Sequence, residues 1–139
     1  PDSILTPHYA EFSRIFNLDL RKVMNDPISA VRGIIPKLEN RVLILKGATN
    51  IIVNSGGDIF LMNHGTPALA TAGTGDVLTG ILGALLAQGE QLDEASLLAV
   101  YLHGECVHQF NKIISSMGLI ASDLPAMLPY ALNEVNHVH

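Results

Sequence analysis

The sequence predicts an α/β fold, and three observations carry the prediction. Arg41 to Lys46, RVLILK, is an unbroken apolar run of the kind that forms a strand buried on both faces. Two further β-rich runs, NIIVN and DIFLM, follow it with SGG between them, which reads as a hairpin. On either side lie longer stretches whose apolar residues recur at helical spacing.

The elements follow in order. SILTPH is a short strand ending at Thr6-Pro7, and Pro7 suits the first turn of a helix. AEFSRIFNL continues with Phe12, Ile15 and Phe16 on a helical stripe. NDPISAVRGIIPKLEN starts another helix, with Asp26 as cap and Pro27 at its first position. After the strand and hairpin comes NHGTPALATAGTG, a loop rich in Gly and Thr, and then a helix from Asp76 to Gln88. Val77, Leu78, Ile81, Leu82, Leu85 and Leu86 form its apolar side. Gly80, Gly83, Ala84 and Ala87 make it narrow enough to pack closely against a sheet, and Gly89 stands where a C-terminal cap belongs. DEASLLAVYLHGECVHQFNKIIS is a second long helix. ASDLPAMLPYALNEV is a last helical segment, expected to break near Pro125 and Pro129. The strands are too few for a complete doubly wound sheet.

Composition narrows the function. A chain of 139 residues with 48% hydrophobic and 15% charged residues can bury a core and is not disordered. A formal net charge of −5 argues against nucleic acid and against an anionic membrane surface as partners. The one cysteine, Cys106, excludes an internal disulfide and points to a reducing, cytoplasmic setting. No apolar run is long enough to span a bilayer, and no signal peptide is visible. The chain opens at Pro1, in a strand-like stretch, which reads as a fragment of something longer.

The stretch with chemical content is ATAGTGDVLTG, residues 70–80. Unpaired N–H groups and the dipole at a helix start attract anions, and Gly73 and Gly75 let a phosphate approach the main chain. Two common fingerprints fail here. A Walker loop needs Gly-Lys-Ser/Thr where Gly75-Asp76 stand, and a dinucleotide loop needs Gly where Leu78 stands. Taken alone, the stretch reads as a tight turn with Asp76 as a first-turn acid. Lys46 to Asn50, KGATN, leaves the end of the buried strand, where ligands gather in α/β sheets; the plain alternative is a turn with a solvated lysine. His8 reads as a surface histidine at a helix start, and His103 and Gly104 as core packing. Cys106 reads as buried. His137 and His139 lie in a polar tail, and the histidines make no metal-ligand pattern.

Four separated blocks change these odds: LTPHYAEFSRIF (residues 5–16), LKGATNII (45–52), NHGTPALATAGTGDVLTGILGALLAQG (63–89), and YLHGECV followed by GLIASDL (101–124). Together and in this order they resemble the NAD(P)H-hydrate dehydratase family of the ribokinase-like superfamily. The resemblance implies a ribokinase-like three-layer sandwich with a mostly parallel sheet, of which residues 1–139 are the later, C-terminal part of a single domain. It also implies an ADP- or ATP-dependent hydro-lyase that returns hydrated NADH and NADPH (NADHX, NADPHX) to NAD(P)H, with Mg²⁺ as cofactor. Bacterial members of the family typically use ADP and eukaryotic members ATP, and the reading leans to ADP.

In that frame Asp76 is the base that takes a proton from the attacking hydroxyl, since an aspartate is ionised at neutral pH. Ala72, Gly73, Thr74 and Gly75 cradle the phosphoryl group. Lys46, Gly47, Ala48, Thr49 and Asn50 bind the nucleotide, and His8 and Asp76 meet the substrate. The chain departs from the family pattern at Tyr9-Ala10, which precede a retained Glu11 in place of Pro-Gly, and at Thr66-Pro67-Ala68 in place of Asn-Pro-Gly. Two rival readings stand beside this one: a small-molecule kinase of the same superfamily, acting on a hydroxymethylpyrimidine or a sugar, and a non-catalytic nucleotide-binding fragment. A homo-oligomer, or association with the absent N-terminal part, is the expected state.

Overall fold

The computed structural model describes residues 2–115 and 117–137. Pro1 and His139 lie outside the described residues. The chain divides into two compact units, Pro1–Met62 and Asn63–His139.

The first unit holds the sheet. β1 (Ile4–Leu5) leads through α1 (Tyr9–Phe16), α2 (Leu20–Asn25) and α3 (Pro27–Leu38) to β2 (Val42–Leu45), β3 (Asn50–Val53) and β4 (Ile59–Met62). Each helix start is capped locally. The His8 side chain accepts from the Glu11 N–H, Asp19 accepts from Arg21 and Lys22, and Asp26 accepts from Ser29 with Pro27 next to it. Pro7 therefore precedes the cap of α1 instead of sitting in its first turn.

The strands lie in the order β1-β2-β3-β4. β1 pairs β2 in parallel, whereas β2–β3 and β3–β4 are antiparallel. The α/β class holds, but the expected mostly parallel sheet does not describe these pairings. A parallel pair needs a crossover of a dozen or more residues. Only β1 and β2 are separated by one, namely the three helices. The other connections are short turns, and short turns return the chain antiparallel. The core follows the period-two alternation of the strands. Leu43 and Leu45 with Val53 and Ile51 pack on Phe12, Val23, Val31, Ile34 and Leu38 of the helices.

The second unit is helical: α4 (Thr74–Ala87), α5 (Leu92–Ile113) and α6 (Leu124–His137), with 3₁₀ turns at Pro67–Ala70 and Ala121–Asp123. α5 packs against both α4 and α6. α4 buries Leu78, Ile81, Leu82 and Leu85, and Gly89 closes it at φ +96° as expected of a C-terminal glycine. The small residues are not at a tight packing surface. Gly80 and Gly83 are exposed, and a Cβ at either would touch nothing within 4 Å.

α6 is continuous where a break was expected. Pro125 sits in its first turn, where a missing N–H costs nothing. Pro129 removes one hydrogen bond that the rest of the helix tolerates. Among the described residues, no helix is long and apolar enough to cross a membrane.

Candidate functional site

The residues singled out from the sequence fall into two groups, one in each unit. In the first unit, the strand end and the start of α1 come together. The Lys46 N–H donates to the Pro7 carbonyl at 2.9 Å, and His8 and Lys46 form a parallel bridge that extends the β1–β2 pairing. His8 and Lys46, 38 positions apart in the chain, are thereby neighbours. Past Lys46 the chain turns sharply. The Gly47 N–H donates to Asn50 Oδ1 at 3.3 Å, so Asn50 closes the turn as well as starting β3. A Cβ on Gly47 would meet the Tyr9 hydroxyl at 2.8 Å, which accounts for a glycine beside Tyr9. Lys46, Thr49 and Asn50 are half-buried, and Gly47 and Ala48 are exposed.

His8 and Glu11 bind each other reciprocally. The His8 N–H donates to Glu11 Oε2 at 2.8 Å, and the Glu11 N–H donates to His8 Nδ1 at 3.2 Å. The hydrogen bond from the His8 N–H holds the Glu11 carboxyl below the usual carboxylate range. Partial desolvation opposes it, and the charges of His8, Lys46 and Arg14 assist. The retained Glu11 thus has a structural explanation, while the His8 ring remains exposed.

The glycine loop belongs to the second unit. Thr66 caps the first 3₁₀ turn by accepting from the Ala68 N–H at 3.2 Å, so it takes on the turn-forming work at a point where the chain departs from the family pattern. Gly73 adopts φ +86°, a conformation L side chains resist, and its missing Cβ would stand 3.1 Å from Ala121 Cβ. Thr74 is buried. Its hydroxyl lies 2.6 Å from the Leu69 carbonyl and 2.9 Å from the Thr71 carbonyl, so its one proton serves both. This threonine side chain therefore faces inward and braces the loop.

The Thr74 and Asp76 N–H groups fold back onto the Thr71 and Gly73 carbonyls at 3.3 and 3.1 Å. Among the described residues, the Gly75 N–H finds no backbone acceptor, as expected for the first helical turn. Asp76 is exposed in that same turn. An N–H available to an anion, a favourable helix dipole and an accessible carboxylate are consecutive in the chain.

The structure also shows a cluster that the sequence reading did not anticipate. His64 Nε2 lies 2.7 Å from Glu105 Oε2, across 41 positions of the chain. Gln109 donates to Glu105 Oε1 at 2.6 Å, and His108 Nε2 reaches the His64 carbonyl at 3.1 Å. The His64 ring stacks on Tyr101 at 4.5 Å and 5°. A Cβ on Gly104 would approach the His64 carbonyl oxygen to 2.5 Å. Gly104 is therefore needed for this contact, beyond the general core packing expected of it.

Burial pushes the Glu105 carboxyl up, but the hydrogen bonds from Gln109 and His64 and the nearby imidazoles outweigh it and hold the group below its usual value. An ionised carboxylate only accepts, so His64 Nε2 carries the ring proton, and His108 Nε2 likewise donates to a carbonyl. One signal was available in the sequence: a glutamate inside the apolar run of α5 must find a partner if buried. Its partner, 41 residues away, left no local trace. Cys106 beside it is buried as expected, with its thiol pushed up to about 11 by burial and by the Glu105 charge.

Known proteins resemble this chain over most of its length. The family model for NAD(P)H-hydrate dehydratase (Carb_kinase) matches residues 2–129. The bifunctional NAD(P)H-hydrate repair enzyme Nnr of Thermosynechococcus vestitus is 40% identical over 126 residues, which is 91% of this chain and 24% of that protein. A crystal structure of the ADP/ATP-dependent NAD(P)H-hydrate dehydratase of Bacillus subtilis, co-crystallised with ATP and Mg²⁺, matches with a TM-score of 0.86 at 34% identity. It covers 94% of this chain and 47% of that one. A ribokinase-like superfamily protein of Enterococcus faecalis matches with a TM-score of 0.73 at 27% identity, over 94% of this chain and 44% of that one. The chain thus spans about a quarter of the bifunctional enzyme and about half of the solved dehydratase. The α/β scaffold is that of a ribokinase-like fold, and the chain belongs to the NAD(P)H-hydrate dehydratase family.

Proposed function

We propose that this chain supplies the nucleotide- and phosphate-binding part of an ADP- or ATP-dependent NAD(P)H-hydrate dehydratase, which returns NADHX and NADPHX to NADH and NADPH. The observation that supports this reading most is the exposed Asp76 carboxylate in the first turn of α4, directly after the Gly73–Gly75 loop. The hydroxyl of the hydrated nicotinamide ring gives its proton to Asp76 and takes the terminal phosphoryl group of the nucleotide. Phosphate then leaves the ring carbon as the neighbouring carbon gives up a proton, and the double bond returns. With ADP as donor the other product is AMP.

Ala72, Gly73, Thr74 and Gly75 form the phosphate loop, in which the Gly75 N–H is left for the phosphoryl group and Thr74, its N–H and hydroxyl both turned to the Thr71 carbonyl, fixes the loop from within. Lys46, Gly47, Ala48, Thr49 and Asn50 bind the nucleotide, and His8 contacts the substrate. The residues present fit a magnesium ion that arrives with the nucleotide. Among the described residues no three His, Cys, Asp or Glu side chains gather into a metal cage. Mg²⁺ is ordinarily carried largely by phosphates and water, so it would be held here through the nucleotide, leaving Asp76 free to act as the base. Such an ion would offset phosphate charge.

Both units belong, in this reading, to a single ribokinase-like domain working in the cytoplasm. Its activity is completed by residues that the relatives carry outside the matched region, through association or within a homo-oligomer. The test is Asp76→Asn in the natural-length protein. Loss of NADHX with ADP and Mg²⁺ should slow by on the order of 10²-fold or more, the worth of a general base, while ADP affinity stays close to wild type. Turnover within a few-fold of wild type would remove Asp76 from the mechanism.

A further inference from the structure

The function proposed for the glycine loop leaves one cluster unused. His64 stands at the entrance of the loop, and five positions of one face of α5 converge on it or on its partner: Tyr101, Gly104, Glu105, His108 and Gln109. Their spacing of three and four residues is that of a single helical face. The ring is stacked, its Nε2–H is bound, and its carbonyl accepts from His108 against a bare Gly104. Surface histidines in a loop are not ordinarily restrained at every one of these points.

From His64 the restraint runs on to the phosphate cradle through contacts of the same unit. Thr66 caps the 3₁₀ turn Pro67–Ala70, and that turn packs against α5. The Leu69 N–H donates to the Thr66 carbonyl at 3.0 Å, and the Leu69 carbonyl in turn accepts from the buried Thr74 hydroxyl. Thr74 is the first residue of α4, two positions before Asp76. The chain from residue 64 to residue 76 is thus pinned at its entrance by α5 and at its exit by Thr74.

We propose that Glu105 is a positioning residue: by holding His64 against α5, it sets the glycine loop in the geometry that presents the Gly75 N–H and the Asp76 carboxylate. Glu105 touches neither nucleotide nor substrate in this role. It acts through His64, whose bound Nε2 proton is fixed by the carboxylate and whose ring orientation is fixed with it. Pre-set loop geometry matters because misplacing a reacting group by about 1 Å can cost on the order of 10²-fold in rate. This role rests on the phosphate-binding reading of the loop for its meaning, but not for its test.

The test is amide hydrogen exchange on the natural-length protein without nucleotide, comparing wild type, Glu105→Ala and Glu105→Gln. The reporters are the hydrogen-bonded amides of Leu69, Thr74, Asp76 and Val77. Glu105→Ala should speed their exchange by about tenfold or more, with α6 protection unchanged, because local opening need not involve the whole fold. Glu105→Gln keeps an acceptor for His64 and should restore exchange to near wild type.

Loop amides unmoved in Glu105→Ala would overturn the inference. So would an equal rise across α5 and α6, or failure of Glu105→Gln to rescue. If Glu105→Ala does not fold, His64→Gln makes the same measurement from the loop side; protected loop amides there overturn it, and faster exchange confined to the loop supports it. ADP titration of the same samples separates the two readings: a wild type that binds no ADP defeats the proposed function and leaves the exchange result standing.

Discussion

The strand end of the first unit and the glycine loop of the second are held in different ways. At the strand end the side-chain restraints are short in sequence: Glu11 to His8 and Asn50 to Gly47 are each three residues apart. The loop depends on distant partners. His64 is tied to Glu105 across 41 positions, its carbonyl is met by His108 across 44, and Gly73 packs on Ala121. Side-chain restraints within a turn survive changes elsewhere in the chain, although the pairing of His8 with Lys46 is itself long-range. One braced by a neighbouring helix inherits that helix's stability and can be disturbed from far outside the loop.

Three variants sharpen or break this contrast beyond the loss of turnover expected of Asp76→Asn. The largest effect on the fold belongs to Gly104→Ala. Its Cβ would stand 2.5 Å from a backbone oxygen, so the loop or α5 must move, and overpacking of this kind costs about 1–3 kcal/mol. Thermal unfolding should show a drop of several degrees together with weaker ADP binding; an unchanged melting temperature would show that the loop is not anchored there.

Glu11→Ala should do less. It removes one half of an exposed reciprocal cap, so the melting temperature should fall by less than in Gly104→Ala, and glycine-loop amides should keep their protection. Faster exchange in the loop of this variant would break the contrast between local and distant restraint.

The smallest effect is in pH. The Glu105 carboxyl is held below its usual value, so the unfolded chain binds its proton more readily than the folded one. The stabilisation is complete above the ordinary carboxylate range and is lost as pH falls through the lowered folded value. The stability gap between wild type and Glu105→Gln should therefore be flat near neutrality and shrink in acid. A gap that widens on acidification would reverse the assigned ionisation.

Most of the fold was legible because its signals are local. RVLILK is a buried strand, SGG is the hairpin turn, Asp26-Pro27 opens a helix, and Gly89 closes one. The errors have equally physical sources. Parallel pairing depends on connection length, and the connections around β3 are too short for it. The prolines of α6 suggest breaks, yet Pro125 in the first turn gives up no helical bond and the helix tolerates the one that Pro129 loses. For the site, ATAGTGD and KGATN read alone as turns and gain weight only from the family resemblance; the structure accounts for Thr74 and Asn50 as supports within them. The His64–Glu105 pair stayed hidden because nothing within a few residues of either one encodes the other.

The lone thiol has a practical consequence. Cys106 sits on α5 directly after Glu105, is 1% exposed, and has its thiol pushed up to about 11 by burial and the Glu105 charge. A thiol reagent in neutral solution can therefore reach it only when α5 opens. The chain carries, without any engineered label, a clock for the opening of the helix that braces its glycine loop.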